Sequence, residues 1–96
     1  GTVEEVNSPY PIADKFKAFK WNVVEIDGHD FDAIESALEN ARATKGVPTC
    51  IVMKTIKGKG VSYMENAVGW HGKAPNTEEY EQAMTELKAA LAELEA

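Results

Sequence analysis

Two short stretches of this 96-residue chain combine residue types suited to chemistry: Lys57-Gly58-Lys59-Gly60 and Gly69-Trp70-His71-Gly72. Lysine ammonium groups are compact point charges that suit phosphate, and glycines let a backbone approach a ligand closely. A histidine titrates near neutrality, so it can donate to an anion or relay a proton. A solvated basic turn accounts for Lys57 and Lys59 equally well. His71 reads either as a surface residue beside a packed Trp70 or as a functional group, and its place in the same loop as the lysines favours the second. Taken together, Lys57, Lys59 and His71 suggest part of an anion-binding site.

The segment holding them runs from about residue 55 to residue 75, longer than most loops in compact domains, which are functional or disordered at that length. Val61, Tyr63, Met64, Val68 and Trp70 give it more apolar content than solvated tails carry, so an ordered loop is expected. Its charge also sets it apart. The chain has a net charge of −6, yet residues 54–61 hold three lysines and no acid.

An acidic balance argues against nucleic acid as a partner, because phosphate neutralisation dominates that affinity. No apolar run has the length to cross a bilayer and no secretory signal is visible, so no membrane association and a cytoplasmic protein are expected. Cys50 is the single cysteine and lies in the apolar run Thr49-Cys50-Ile51-Val52-Met53, where it reads as a small buried hydrophobe rather than a nucleophile. His29, in Asp27-Gly28-His29-Asp30, reads either as part of a metal site or, preferably, as part of a turn into a capped helix.

The elements that would position the loop follow from periodicity. Residues 1–8 show none, and a start at Gly1 suggests a chain that is processed, tagged or cut from something longer. Ile12, Phe16 and Phe19 mark a short amphipathic helix with Pro11 at its first turn. Trp21–Ile26 is β-branched and aromatic, as a strand should be, and Asp27-Gly28 ends it. Asp30 then caps a helix with Phe31, Ile34, Ala37, Leu38 and Ala41 on one face, stopped by Thr44-Lys45-Gly46. Thr49–Met53 is apolar on both alternating faces, the pattern of a parallel strand covered on both sides. Asn76-Thr77-Glu78-Glu79 offers a capping box, and Tyr80, Ala83, Met84, Leu87, Leu91 and Leu94 recur at helical spacing, so a last helix packing onto the sheet is expected. The predicted fold is α/β, a three-layer parallel-sheet fragment of order α-β-α-β-long loop-α with a right-handed βαβ crossover. Two strands leave edges unpaired, which suggests that further strands come from elsewhere.

With these motifs in order, the sequence resembles transketolase, specifically the later half of its thiamine-diphosphate-binding domain. The resemblance spans essentially all of residues 1–96 and rests on Gly1-Thr2-Val3, Pro11-Ile12-Ala13-Asp14-Lys15-Phe16, Trp21 to Asp30, Lys54-Thr55-Ile56-Lys57-Gly58-Lys59-Gly60 and Gly69-Trp70-His71-Gly72-Lys73. It implies that Lys57 lies near the diphosphate of thiamine diphosphate, and that His71 contacts both the diphosphate and the sugar substrate as a catalytic and cofactor-binding residue. It implies a transferase that moves a two-carbon ketol unit between sugar phosphates, with Mg2+ (or Ca2+) in the complete enzyme. The family's Gly-Asp-Gly motif and paired asparagines, which hold that metal, are not in this chain. Nor is the aminopyrimidine-binding domain with its activating glutamate. The resemblance therefore implies a fragment inactive alone, whose partners are the preceding half of its domain and a pyrimidine-binding domain or subunit, within a homo-oligomer. A related thiamine-dependent synthase of the deoxyxylulose-phosphate type shares the lysine-glycine turn, but Gly69-Trp70-His71-Gly72 favours transketolase. A non-catalytic module that associates through its sheet edge or last helix is the reading from another class.

Overall fold

The computed structural model describes all residues, Gly1–Ala96, as two compact units, Gly1–Thr55 and Ile56–Ala96. The first unit is the α/β part. Helix α1, Val3–Asn7, opens it, then α2, Ile12–Ala18, strand β1, Asn22–Asp27, helix α3, Phe31–Ala43, and strand β2, Thr49–Lys54. β1 and β2 pair in parallel with α3 between them in sequence, which makes the expected βαβ unit. Their register runs from Asn22 opposite Thr49 to Asp27 opposite Lys54.

Both α2 and α3 pack on β1, and α2 also reaches β2. Side chains reinforce the corners. The Asn22 amide donates to Asn40 Oδ1 at 2.8 Å, to Thr49 Oγ1 at 3.2 Å and to Thr44 Oγ1 at 3.3 Å, so one residue ties β1 to the end of α3 and the start of β2. Phe16 and Trp21 rings meet at 5.0 Å, which fixes α2 beside the start of β1. Asp30 caps α3 by accepting from the Asp32 and Ala33 amides, and Asp27 Oδ1 accepts from the His29 amide at 2.9 Å. That pair of Asx contacts is the turn-and-cap reading of the segment around His29.

Three expectations need correction. Residues 1–8 are not featureless: Thr2 and Glu5 form a reciprocal capping box that starts α1, a Thr-x-x-Glu signal too short to show periodicity. Strand β2 is half-buried along Thr49–Val52 and exposed at Met53 and Lys54, so its apolar run is only partly covered. Cys50 is accordingly half-buried rather than fully enclosed.

The second unit consists of the long loop and helix α4, Thr77–Glu95. Within the loop, Val68–His71 winds one turn of 3₁₀ helix, an element too short for any periodic signal. The side chains below one-tenth exposure are Ala13 and Ala37 in the first unit and Val61 and Ala83 in the second. By contrast Phe31 is 85% exposed, Leu94 83% and Phe19 76%, which leaves large apolar side chains uncovered by this chain. No helix is long and apolar enough to cross a membrane.

Candidate functional site

The loop is ordered from inside by a dense set of backbone bonds. At its entrance the Lys59 amide donates to the Ile56 carbonyl, and the Val61 amide to that of Gly58. The Met64 and Glu65 amides both donate to the Val61 carbonyl, and the Asn66 amide closes the lobe on the Lys57 carbonyl at 2.9 Å. Glu65 Oε1 accepts from the Gly60 amide at 3.1 Å. Lys57 thus sits on a backbone pinned from both sides, with its side chain exposed.

Gly58 is what allows this closure. Its φ is +73°, and a Cβ there would lie 2.4 Å from the Met64 carbonyl oxygen. The close approach that the glycine permits is therefore to the loop's own backbone, which corrects the reading of Gly58 as space for a ligand. Asn66, at φ 56°, takes the left-handed conformation that asparagine tolerates and completes the lobe.

At the exit the means are different. A Cβ at Gly69 or Gly72 would meet nothing within 4 Å, so neither glycine is forced by packing. Beyond the 3₁₀ turn, where the Trp70 amide donates to the Ala67 carbonyl, order comes from side chains. The Trp70 ring lies 5.2 Å from that of Tyr63, and Lys73 Nζ stands 4.4 Å from the Trp70 ring centroid. Lys73 also pairs with Glu79 Oε1 at 2.9 Å, while Glu79 Oε2 accepts from the Asn76 amide at 2.9 Å as half of the capping box of α4. The Tyr63 hydroxyl donates to the Glu79 main-chain carbonyl. One residue of α4 therefore receives Tyr63, Lys73 and Asn76. His71, the last residue of the 3₁₀ turn, follows Trp70 directly and is exposed.

Glu86, farther along α4, holds the middle of the loop: its carboxylate accepts from the Ser62 amide at 2.7 Å and from the Ser62 hydroxyl. The contacts described for α4 are thus with the loop, and its role here is as the loop's support. Electrostatics follow the same contacts. Bonds from Ser62, first the hydroxyl and then the amide, hold the Glu86 carboxyl below its ordinary range. The Asn76 amide, followed by Lys73, does the same for Glu79. Partial burial, with the carboxylates of Glu79 and Glu86, pushes the Tyr63 hydroxyl above its ordinary range.

The chain's two ion pairs are Arg42–Glu39 and Lys73–Glu79, which leaves the ammonium groups of Lys57 and Lys59 without an acidic partner. Exposed, unpaired cations at a rigid turn match an anionic phosphate group. The structure puts Lys57 and His71 in one unit, at the two ends of one braced loop. No group of three His, Cys, Asp or Glu side chains gathers to hold a metal ion. Tyr63 and Glu79 carried no functional signal in sequence, since their link depends on how the loop meets α4.

Comparison with known proteins decides the family. Residues 1–92 match the model for the transketolase thiamine diphosphate binding domain. The chain belongs to the transketolase family. Among relatives, it is 41% identical over 88 residues to the 6-deoxy-6-sulfo-D-fructose transketolase subunit SqwG of a Clostridium species, covering 92% of this chain and 32% of that protein. It is 38% identical over 95 residues to an apulose-4-phosphate transketolase subunit of Phocaeicola vulgatus, covering 99% of this chain and 34% of the relative. Human transketolase-like protein 2 matches at 47% over 57 residues, 59% of this chain and 9% of the relative. This member of the transketolase family spans about a third of the length of the first two relatives.

Proposed function

We propose that this chain is the later part of a transketolase thiamine-diphosphate domain, and that Lys57 and His71 face the cofactor in an assembly completed by segments outside the chain. Thiamine diphosphate, when bound, supplies the carbon nucleophile for transfer of a two-carbon ketol unit between sugar phosphates. Lys57 Nζ neutralises charge on the diphosphate, on a turn whose backbone does not need to reorganise. His71 donates to a diphosphate or substrate oxygen and moves a proton there as charge develops. The metal that accompanies the diphosphate is held by residues outside this chain.

The observation that carries the reading is the pairing of the family match over residues 1–92 with a loop that is braced along its length yet leaves Lys57 and His71 exposed. Two more features support an assembly. Each strand of the two-stranded sheet has a single neighbour, and large apolar side chains such as Phe31 and Leu94 stand uncovered. Two of the relatives are named as transketolase subunits, and by analogy the partners here are the preceding part of the domain and a pyrimidine-binding domain or subunit, arranged as a homo-oligomer.

Supplying those segments in trans and assaying ketol transfer tests the proposal. Transfer should appear on mixing and fall roughly tenfold or more in Lys57→Ala and in His71→Ala, as loss of a hydrogen bond to a charged group implies. Full activity in both variants would refute the assignment. The chain by itself should bind thiamine diphosphate more weakly than micromolar, and calorimetric titration showing micromolar or tighter binding would contradict the need for the other segments.

A further inference from the structure

We propose that Tyr63 and Glu79 are positioning residues for His71, acting through Trp70 and Lys73. The inference rests on the reading of His71 as a substrate- and cofactor-facing group. His71 lies between Gly72 and the Gly69-Trp70 pair, and a Cβ at either glycine would meet nothing within 4 Å, so beyond the short 3₁₀ turn no packing against these two positions holds the backbone in place. A backbone with that freedom does not hold a ring in one place unaided, because glycine carries the largest conformational entropy to be lost.

The restraint arrives from the residues on either side. Trp70, one residue before His71, is fixed by the Tyr63 ring at 5.2 Å and by the Lys73 ammonium at 4.4 Å. Lys73, two residues after His71, is fixed by Glu79 at 2.9 Å. Both restraints end on Glu79, because the Tyr63 hydroxyl donates to its carbonyl and Lys73 pairs with its carboxylate. Glu79 is itself locked into the first turn of α4 by the Asn76 capping box. The histidine is thus suspended between two anchors that share one rigid point, the first turn of a 19-residue helix. Small displacements of a reacting group can cost up to a hundredfold in rate, so this suspension sets how well His71 meets its substrate oxygen.

The test is a double-mutant cycle in the assembled enzyme, with Tyr63→Leu, His71→Ala and both together, reading kcat and the thiamine diphosphate concentration at half-activity. Tyr63→Leu should lower kcat roughly tenfold, with any rise in the cofactor concentration at half-activity no larger than that of His71→Ala, and should cost nothing further in the His71→Ala background. Tyr63→Phe, which keeps the ring against Trp70 but loses the hydroxyl bond to Glu79, should recover only part of the loss. Losses that multiply in the double variant overturn the positioning role while leaving His71 as a functional group, whereas full activity of His71→Ala overturns the underlying reading itself. If Tyr63→Leu does not assemble, Glu79→Gln goes through the same cycle with the same expected non-additivity, and multiplying losses again overturn the role. A readout without activity comes from the assembled protein with this chain alone isotope-labelled, so that the labelled histidines are His29 and His71. In NMR spectra, Tyr63→Leu should shift and broaden the His71 ring resonances and leave those of His29 in place, and an unmoved His71 would overturn the inference.

Discussion

The two ends of the long loop present similar residues, a candidate ligand group with glycine beside it, yet they are held in opposite ways. At the entrance, Gly58 lies so close to the Met64 carbonyl that no side chain fits, and the backbone folds on itself beneath Lys57. At the exit, Gly69 and Gly72 have open space around them and His71 is steadied by the side chains of Tyr63, Trp70, Lys73 and Glu79. A glycine beside a functional residue thus has two separate physical meanings. Gly58 is required by the loop's own packing, while Gly69 and Gly72 stand beside open space that packing does not demand.

The strongest way to break this contrast is Gly58→Ala. It forces a side chain into a positive φ and against a main-chain oxygen, so urea unfolding should show a loss of at least ~2 kcal/mol. A variant as stable as the wild type would mean that the entrance is not locked by its backbone. Next in size, Trp70→Leu removes both the Tyr63 ring pair and the Lys73 contact and should cost about 1–2 kcal/mol by the same measurement, while leaving the entrance intact.

How far these features were legible in sequence differs in the same way between the two regions of the chain. The βαβ unit announced itself, because the apolar face of α3 repeats at the helical period, β2 is a short continuous apolar run, and Asp30 marks the cap. Lys57 and His71 were visible as residue types in an unusual loop. Hidden from sequence were contacts that only the folded loop creates: Gly58 against Met64, and Tyr63 with Lys73 on Glu79. No local spacing encodes a partner 16 residues away. Helix α1 is the opposite case, since Thr2 and Glu5 carried a readable capping signal that a search for periodicity overlooks in five residues.

A weaker effect concerns the support that α4 gives the loop. Glu79 and Glu86 have carboxyls depressed by their bonds to Asn76, Lys73 and Ser62, so they bind protons more readily in the unfolded chain than in the folded one. Their contribution is fully present above the ordinary glutamate value of about 4.3 and is lost as pH falls through their lower folded values. In a Trp21→Phe background, where fluorescence reports Trp70 alone, the signal should change as pH falls below about 4, and Glu86→Gln should diminish that change. A signal flat to pH ~3 would argue against carboxylate support. Weakest of all, Gly69→Ala should leave stability within about 1 kcal/mol, or raise it slightly, because the added methyl meets nothing and restricts the unfolded chain. A loss comparable to that of Gly58→Ala would erase the distinction between the two ends.

If Lys57 directs its charge at the cofactor diphosphate, then Lys59, two residues along the same exposed turn, is its natural control. Calorimetric titration of thiamine diphosphate into the assembled protein, comparing Lys57→Ala with Lys59→Ala, separates a placed cation from a generally basic turn. Binding should weaken roughly tenfold or more in Lys57→Ala and less than about threefold in Lys59→Ala. Equal weakening by both, or none from Lys57→Ala, would contradict a diphosphate-facing Lys57.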